Sequence, residues 1–302
     1  MGITDDLLPA PGKVPVVPVG TEGTAQRGVR LDMLRLDLVD EMVSGNKWFK
    51  LIRNLQAAAG RHAAVLTFGG AWSNHLVATA AAAARSGFGS IGVVRGLHAA
   101  EHLTPTLQRC VELGMQLHFV SRADYAQRGD PAFLAALQQR YDHPFIVPEG
   151  GANREGREGA ALIARYIDPG YTDICVSVGS GTTLAGLRMA LPATQRITGF
   201  APMKGGRYLE QQIAGWLPPA RHQNWRIIDA YHFGGFGKMP ELLEIFMREF
   251  HEHHSIPLDR VYTAKMMYGV LDLLQQDYFP PGAKILCIHT GGLQGNLEEG
   301  AR

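Results

Sequence analysis

Several features that would narrow the function of this chain are scarce or missing. Its 302 residues include three cysteines, Cys110, Cys175 and Cys287, far apart and odd in number. Two of them sit in apolar, strand-like runs. This excludes a disulfide framework and reads as reduced, buried thiols. Charge of one sign is also missing: 29 Lys+Arg are interspersed with 28 Asp+Glu, a formal net charge of +1. A nucleic-acid or anionic-membrane partner is therefore not expected. No apolar run approaches the roughly 20 residues of a membrane span, and the N-terminus lacks the order of a signal peptide. The expected location is the cytoplasm. No repeat with a period of about 20–50 residues is visible.

What the chain does have is 46% apolar and 19% charged residues, enough for a large core in one or two domains. From about residue 60, β-type runs alternate with helical ones: Ala64–Phe68, a helix from Ser73, Ser90–Val94, a helix from Thr104, and Gln116–Val120. The pattern resumes with Asp173–Val178, a helix from Thr182, Arg196–Ala201, a helix from Arg207, Arg226–Tyr231, helices from Glu241 and Ala264, and Lys284–His289. Such alternation predicts α/β architecture with mostly parallel sheets between helices. Turn formers from Pro144 to Gly159 mark a junction between two units.

Three segments carry the chemistry. Lys47 follows Gly45-Asn46 and precedes Trp48-Phe49; burial beside apolar neighbours would lower its pKa and make it a candidate nucleophile. A surface lysine is the bland alternative, and Lys50 is the local competitor. Gly179-Ser180-Gly181-Thr182-Thr183 runs from a strand into a helix, where backbone N–H groups and hydroxyls can hold a phosphate. By itself this is an ordinary glycine turn as often as an anion site. A phosphate-anchored aldehyde cofactor, pyridoxal phosphate, would use both segments.

The third segment is Ser73-Asn74-His75. Ser73 reads by default as a helix N-cap; functionally, that helix end could take a substrate carboxylate, with the Ser73 hydroxyl moving a proton. Near the C-terminus, Ile285–Ile288 ends in His289-Thr290-Gly291-Gly292, at a strand edge where α/β folds bind ligands. His251, His253 and His254 lie in a charged helix end without a metal-ligand constellation, so no metal is expected.

In chain order, Gly45-Asn46-Lys47 with Lys50-Leu51, Ser73-Asn74-His75, Pro148 with Gly150-Gly151, Gly179-Ser180-Gly181, Tyr262 and His289-Thr290-Gly291-Gly292 resemble the D-cysteine desulfhydrase and 1-aminocyclopropane-1-carboxylate (ACC) deaminase family. The resemblance spans roughly residues 30–293. It implies two three-layer α/β domains of the tryptophan synthase β-like, fold type II class, and a homodimer. Residues 1–50 plus 151–302 would form the larger cofactor-binding domain, and 51–150 a smaller mobile one. It also implies that Lys47 bonds the cofactor aldehyde and later moves protons. Asn74 would contact the ring oxygen, Gly179, Ser180, Gly181, Thr182 and Thr183 the phosphate, and Thr290 the ring nitrogen. Ser73, Asn74, His75 and Tyr262 would frame a small amino-acid substrate, with Ser73 and Tyr262 sharing the catalysis.

Departures from the pattern bear on the substrate. Thr263 stands where the ACC deaminase branch has a glutamate near the pyridine nitrogen. A neutral Thr290 partner gives a weaker electron sink, which suits β-elimination better than opening a cyclopropane ring. Trp72 replaces a glutamine before Ser-Asn, Glu149 intrudes into the Pro-x-Gly-Gly turn, and Thr182 stands where a glycine is common. The expected activity is a lyase or deaminase giving keto acid and ammonia, with sulfide from a thiol substrate. The alternatives are ACC deaminase and a non-catalytic ligand sensor whose site Trp72 has closed.

Overall fold

A computed structural model describes residues 7–296. Among these described residues, ten strands fall into two sheets. The strands are β1 Val16–Pro18, β2 Arg30–Leu34, β3 Ala64–Gly69, β4 Gly89–Arg95, β5 Met115–Val120, β6 Phe145–Val147, β7 Asp173–Ser177, β8 Arg196–Phe200, β9 Trp225–Ile228 and β10 Lys284–Ile288. One sheet has the order β1-β2-β10-β7-β8-β9, the other β5-β4-β3-β6. Every pairing is parallel except β1 with β2.

Eleven α-helices connect them: α1 Glu22–Gln26, α2 Asn46–Ala58, α3 Asn74–Arg85, α4 Pro105–Glu112, α5 Arg122–Ala126, α6 Pro131–Arg140, α7 Arg154–Ala161, α8 Thr182–Ala190, α9 Tyr208–Trp216, α10 Glu241–His254 and α11 Thr263–Gln275. None is long and apolar enough to cross a membrane. All three cysteines are buried and free. The four-stranded sheet draws only on residues 64–147, whereas the six-stranded sheet takes strands from both sides of that stretch. Helix α2 runs across the expected boundary at residue 50. Residues 1–6 and 297–302, at the ends of the expected larger domain, lie outside the described residues.

Strand order explains where a ligand goes. In the larger sheet the chain moves outward from β7 to β8 and β9, while β10 returns on the opposite flank of β7. The C-terminal ends of β7 and β10 thus form a switch point, where loops part and leave a crevice. The smaller sheet repeats this between β3 and β6. The four segments leaving these ends are the glycine loop before α8, His289–Gly292, Ser73–His75 and Pro148–Gly151.

Small residues draw the intervening helices together. A Cβ added at Gly159 in α7 would lie 2.0 Å from the Phe49 carbonyl oxygen of α2, and one at Gly186 in α8 would lie 2.6 Å from the Arg157 carbonyl oxygen. Helix α7 therefore touches α2 on one side and α8 on the other, backbone to backbone. In α3, Ala78 and Ala80–Ala83 are all buried, which lets that helix sit low on its sheet.

Candidate active site

Helix α2 opens on Gly45, whose φ is +72°, and a Cβ there would lie 2.0 Å from the Thr290 carbonyl oxygen. Only glycine meets both conditions. That approach lets Asn46 N–H donate to the Thr290 carbonyl at 3.3 Å, while its side-chain Nδ2 donates to Thr183 Oγ1 at 2.7 Å. The residue before Lys47 is thus tied to the end of β10 and to the start of α8. Lys47 lies in the first turn of α2, not in a loop, and its Nζ donates to Asn46 Oδ1 at 3.4 Å. Part of its surface stays open. Burial nevertheless lowers its pKa, opposed by the Asp259 carboxylate, which enlarges the neutral, nucleophilic fraction.

Lys50, one turn on, is buried and donates to the Gly150 carbonyl at 3.2 Å. Burial, then the charge of Lys47, pushes its pKa down to about 7. His75 also belongs to this buried layer: its Nε2 meets Thr67 Oγ1 at 3.0 Å and its Nδ1 has no partner. Burial, then the charges of Lys50 and Lys47, holds it down to about 3. The ring is neutral and enclosed.

The glycine loop has the features of an anion cradle. Gly181 caps α8 in the left-handed region, φ +81°, without a side-chain cap bond, so the first N–H groups of the helix keep their donor capacity. A Cβ at Gly181 would lie 2.8 Å from Ile213. Ser180 Oγ and Thr182 Oγ1 are 2.9 Å apart, and Gln212 pins the Ser180 carbonyl at 2.9 Å. Gly150 lies against Ser180: a Cβ there would be 3.2 Å from its Oγ. Lys50 is therefore joined to this loop through Gly150.

Ser73 caps α3, accepting from Leu76 N–H at 3.4 Å. Asn74 Nδ2 reaches the Gly292 carbonyl at 3.5 Å, bridging the two switch points. Thr290 is buried at the end of β10. Tyr262 lies over the glycine loop, its hydroxyl oxygen 3.3 Å from a Cβ position on Gly179. Burial, then the charges of Asp259 and Glu149, raises its phenol pKa, so it stays protonated at neutral pH. His289 is a satisfied core histidine, bonded to the Pro257 carbonyl at 2.8 Å and to Gly291 N–H at 3.2 Å.

One contributor, Asp259, has no place in the sequence reading, and a second, Phe236, belongs to the glycine-rich aromatic segment 231–237 that the sequence offers as a possible pocket wall. Asp259 is buried and accepts from the N–H groups of Val261, Tyr262 and Thr263 and from the Thr263 hydroxyl. It holds Tyr262 at the head of α11 and ties up the hydroxyl of Thr263. The signal was an aspartate four residues before a helix-starting threonine. Phe236 stands exposed with its ring 5.9 Å from that of Tyr262. Trp72 is 50% exposed, so its indole is not packed into the site as a plug.

A cavity of about 600 Å³ lies elsewhere. It is lined by Thr172, Arg196, Asn224 and Gly282, at the N-terminal ends of β7, β8 and β10. None of the chemistry-bearing residues is there, and ligands of open α/β sheets bind at the other end.

Comparison with known proteins agrees with this geometry. Residues 45–291 match the family model described as pyridoxal-phosphate dependent enzyme. The chain is 31% identical over 322 residues to a bifunctional D-cysteine desulfhydrase/1-aminocyclopropane-1-carboxylate deaminase of Arabidopsis thaliana, covering 95% of this chain and 77% of that one. It is 27% identical over 287 residues to a D-cysteine desulfhydrase of Salmonella newport, covering 88% of this chain and 87% of that one. A solved structure of an ACC deaminase homologue superposes with a TM-score of 0.79 at 26% identity, covering 96% of this chain and 92% of that one. A serine racemase from Dictyostelium discoideum, 13% identical with a TM-score of 0.67, shares the fold. The matched span runs from the glycine that opens the lysine helix to the glycines after β10, and the chain belongs to the pyridoxal-phosphate dependent enzymes.

Proposed function

We propose that this enzyme is a carbon–heteroatom lyase that removes a β-substituent from a small amino acid, D-cysteine or a related compound, giving a keto acid and ammonia. The observation that carries it is the bond from Asn46 Nδ2 to Thr183 Oγ1 at 2.7 Å. It places the lysine helix and the uncapped start of α8 in one crevice.

The residues fit pyridoxal phosphate. The loop from Gly179 to Thr183 offers open helix N–H groups and three hydroxyls for the phosphate, and Lys50 offers a buried positive charge beside that loop. Asn74 would meet the ring oxygen and Thr290 the ring nitrogen. When bound, the cofactor supplies an electron sink for negative charge developing at the substrate Cα.

The chain's own residues do the rest. Lys47 would hold the cofactor aldehyde, and its side-chain amine would take the substrate Cα proton, a role that its lowered pKa favours. The helix end at Ser73 binds the substrate carboxylate, and its hydroxyl carries a proton at the reacting carbon. Protonated Tyr262 donates toward the departing group. The four-stranded unit would move as the smaller domain, closing on the substrate and excluding water.

Thr263 is buried with its hydroxyl bonded to Asp259, so no carboxylate from that position reaches a ring nitrogen. This weighs against ACC as the main substrate, since ring opening calls for a stronger sink. The test is a panel of D- and L-amino acids and ACC, scored by keto acid, ammonia and sulfide. Pyruvate and sulfide from a cysteine enantiomer support the lyase. Efficient 2-oxobutanoate formation from ACC favours the deaminase, and binding without turnover a sensor.

A further inference from the structure

The small-sheet side of the crevice carries a charge arrangement that the chemistry above does not use. Arg95 ends β4, beside the point where β3 ends at Gly69, because Gly69 and Val94 are register partners. Its guanidinium is 3.6 Å from the Cβ position of Gly70. Gly70 belongs to the turn whose carbonyl accepts from Ser73 N–H at 3.1 Å. A cation is thus set one turn from the serine proposed to meet the substrate.

Arg95 is exposed and, among the described residues, has no carboxylate partner. It lies 5.6 Å from the centroid of the Tyr125 ring, and Arg128 lies 5.0 Å from the same centroid. Arg128 is neutralised by Glu149, with Nε to Oε2 at 2.8 Å. Buried Tyr125 is therefore a platform for two guanidinium groups, one paired and one not. Its hydroxyl is buried and faces Glu149, whose carboxylate joins burial in raising its pKa.

This cluster faces the crevice. Glu149 precedes Gly150, which touches Ser180 of the glycine loop. Three chain segments, ending β4, ending α5 and following β6, converge here at the C-terminal edge of a parallel sheet, where ligands bind in such folds. Arg95 approaches the chain at Gly70, three residues before the helix end proposed to take the α-carboxylate, so its charge is available to a second anionic group.

We propose that Arg95 is a specificity-determining residue that selects amino acids whose β-substituent ends in a carboxylate. The planar fork of arginine matches a carboxylate in two parallel hydrogen bonds, and the Tyr125 face fixes the plane of that fork. This rests on the lyase reading for the reaction itself. For S-carboxymethylcysteine, the Cα proton leaves, its electron pair forms the Cα–Cβ double bond, and the Cβ–S bond breaks with its pair on sulfur. With one water the products are pyruvate, ammonia and mercaptoacetate.

The test compares S-carboxymethylcysteine with S-carbamoylmethylcysteine, isosteres differing by one negative charge, as both enantiomers. The holoenzyme is measured by the visible absorption change on equilibrium binding and, separately, by pyruvate release. The expected result is about tenfold tighter binding of the carboxymethyl compound, the gain from one charged hydrogen-bonded pair, weakening as salt rises from about 0.05 to about 0.5 M. Arg95→Gln should abolish the preference and leave affinity for the neutral isostere unchanged. Arg95→Lys should restore part of it. Equal affinity for the two compounds, or an Arg95→Gln change that affects both alike, would overturn the assignment. Preferential binding without pyruvate would keep the Arg95 site and defeat the lyase reading. Pyruvate from both compounds at equal efficiency would do the reverse, and no spectral response to either would remove both.

Discussion

Replacing Lys50 by methionine should make the cofactor-free protein more stable at neutral pH. The Lys50 ammonium is buried, and its pKa falls from an ordinary 10.5 to about 7, through burial first and the Lys47 charge second. Between those two values the folded chain binds fewer protons at this site than the unfolded chain. Apoprotein stability should therefore rise with pH across that window. At about 1.4 kcal/mol for each pH unit between the values, the ceiling is about 5 kcal/mol; relaxation and water entry in a real cleft reduce this to about 2 kcal/mol. Methionine has a similar length and no charge, and Gly150, whose carbonyl it leaves, is partly exposed. Urea unfolding of the apoprotein at intervals from pH 7 to 10 should give a rising midpoint for wild type and a flatter profile for Lys50→Met. The variant should be the more stable at pH 7 and should bind pyridoxal phosphate at least tenfold more weakly, having lost a charged partner of the phosphate. Parallel profiles, or unchanged cofactor affinity, would refute the reasoning.

Other expected outcomes follow from single contacts. Gly45→Ala forces a Cβ to within 2.0 Å of the Thr290 carbonyl oxygen from a left-handed backbone; it should cost at least about 3 kcal/mol in urea unfolding and weaken cofactor binding. Asn46→Ala removes the bond to Thr183 and should cost about 1 kcal/mol of stability, with a fall in pyridoxal phosphate affinity on fluorescence titration. Tyr262→Phe keeps the ring over Gly179 and removes the proton. Keto acid release should fall by about two orders of magnitude while cofactor affinity stays within twofold.

Much of the frame was legible because it obeys local rules. Strand β3 is an apolar run closed by Gly69-Gly70, and β7 leads through Gly179-Ser180-Gly181 into α8. Both patterns can be read residue by residue. Strand β2 lacks such a signature, because Arg30 and Asp32 break its apolar run. Their charges pair with each other at 2.5 Å, and Tyr171 donates to Asp32, so only the fold explains how a carboxylate sits in an interior strand. Strands β1 and β6, three residues each, are too short for periodicity to register.

The site shows the same division. Lys47, Ser73, Asn74 and the glycine loop stand out in the sequence by their spacing at element ends, and the structure brings them to one crevice. The part played by Asn46 does not, since its partner Thr183 is 137 residues away. Nor does that of Asp259: its spacing from Thr263 signals a helix cap, but its influence on Lys47 and Tyr262 comes through space. Arg95 carries no local signal either, because the fold brings Gly70 and Tyr125 beside it. Long-range closure of the chain makes these contacts, and local sequence does not encode them.

The central claim is that Lys47, and not Lys50, holds the cofactor aldehyde. Borohydride reduction of the holoprotein followed by peptide mapping tests it most directly. The account predicts a pyridoxyl group on Lys47, with Lys50 unlabelled. A label on Lys50, or none on either lysine, would contradict it.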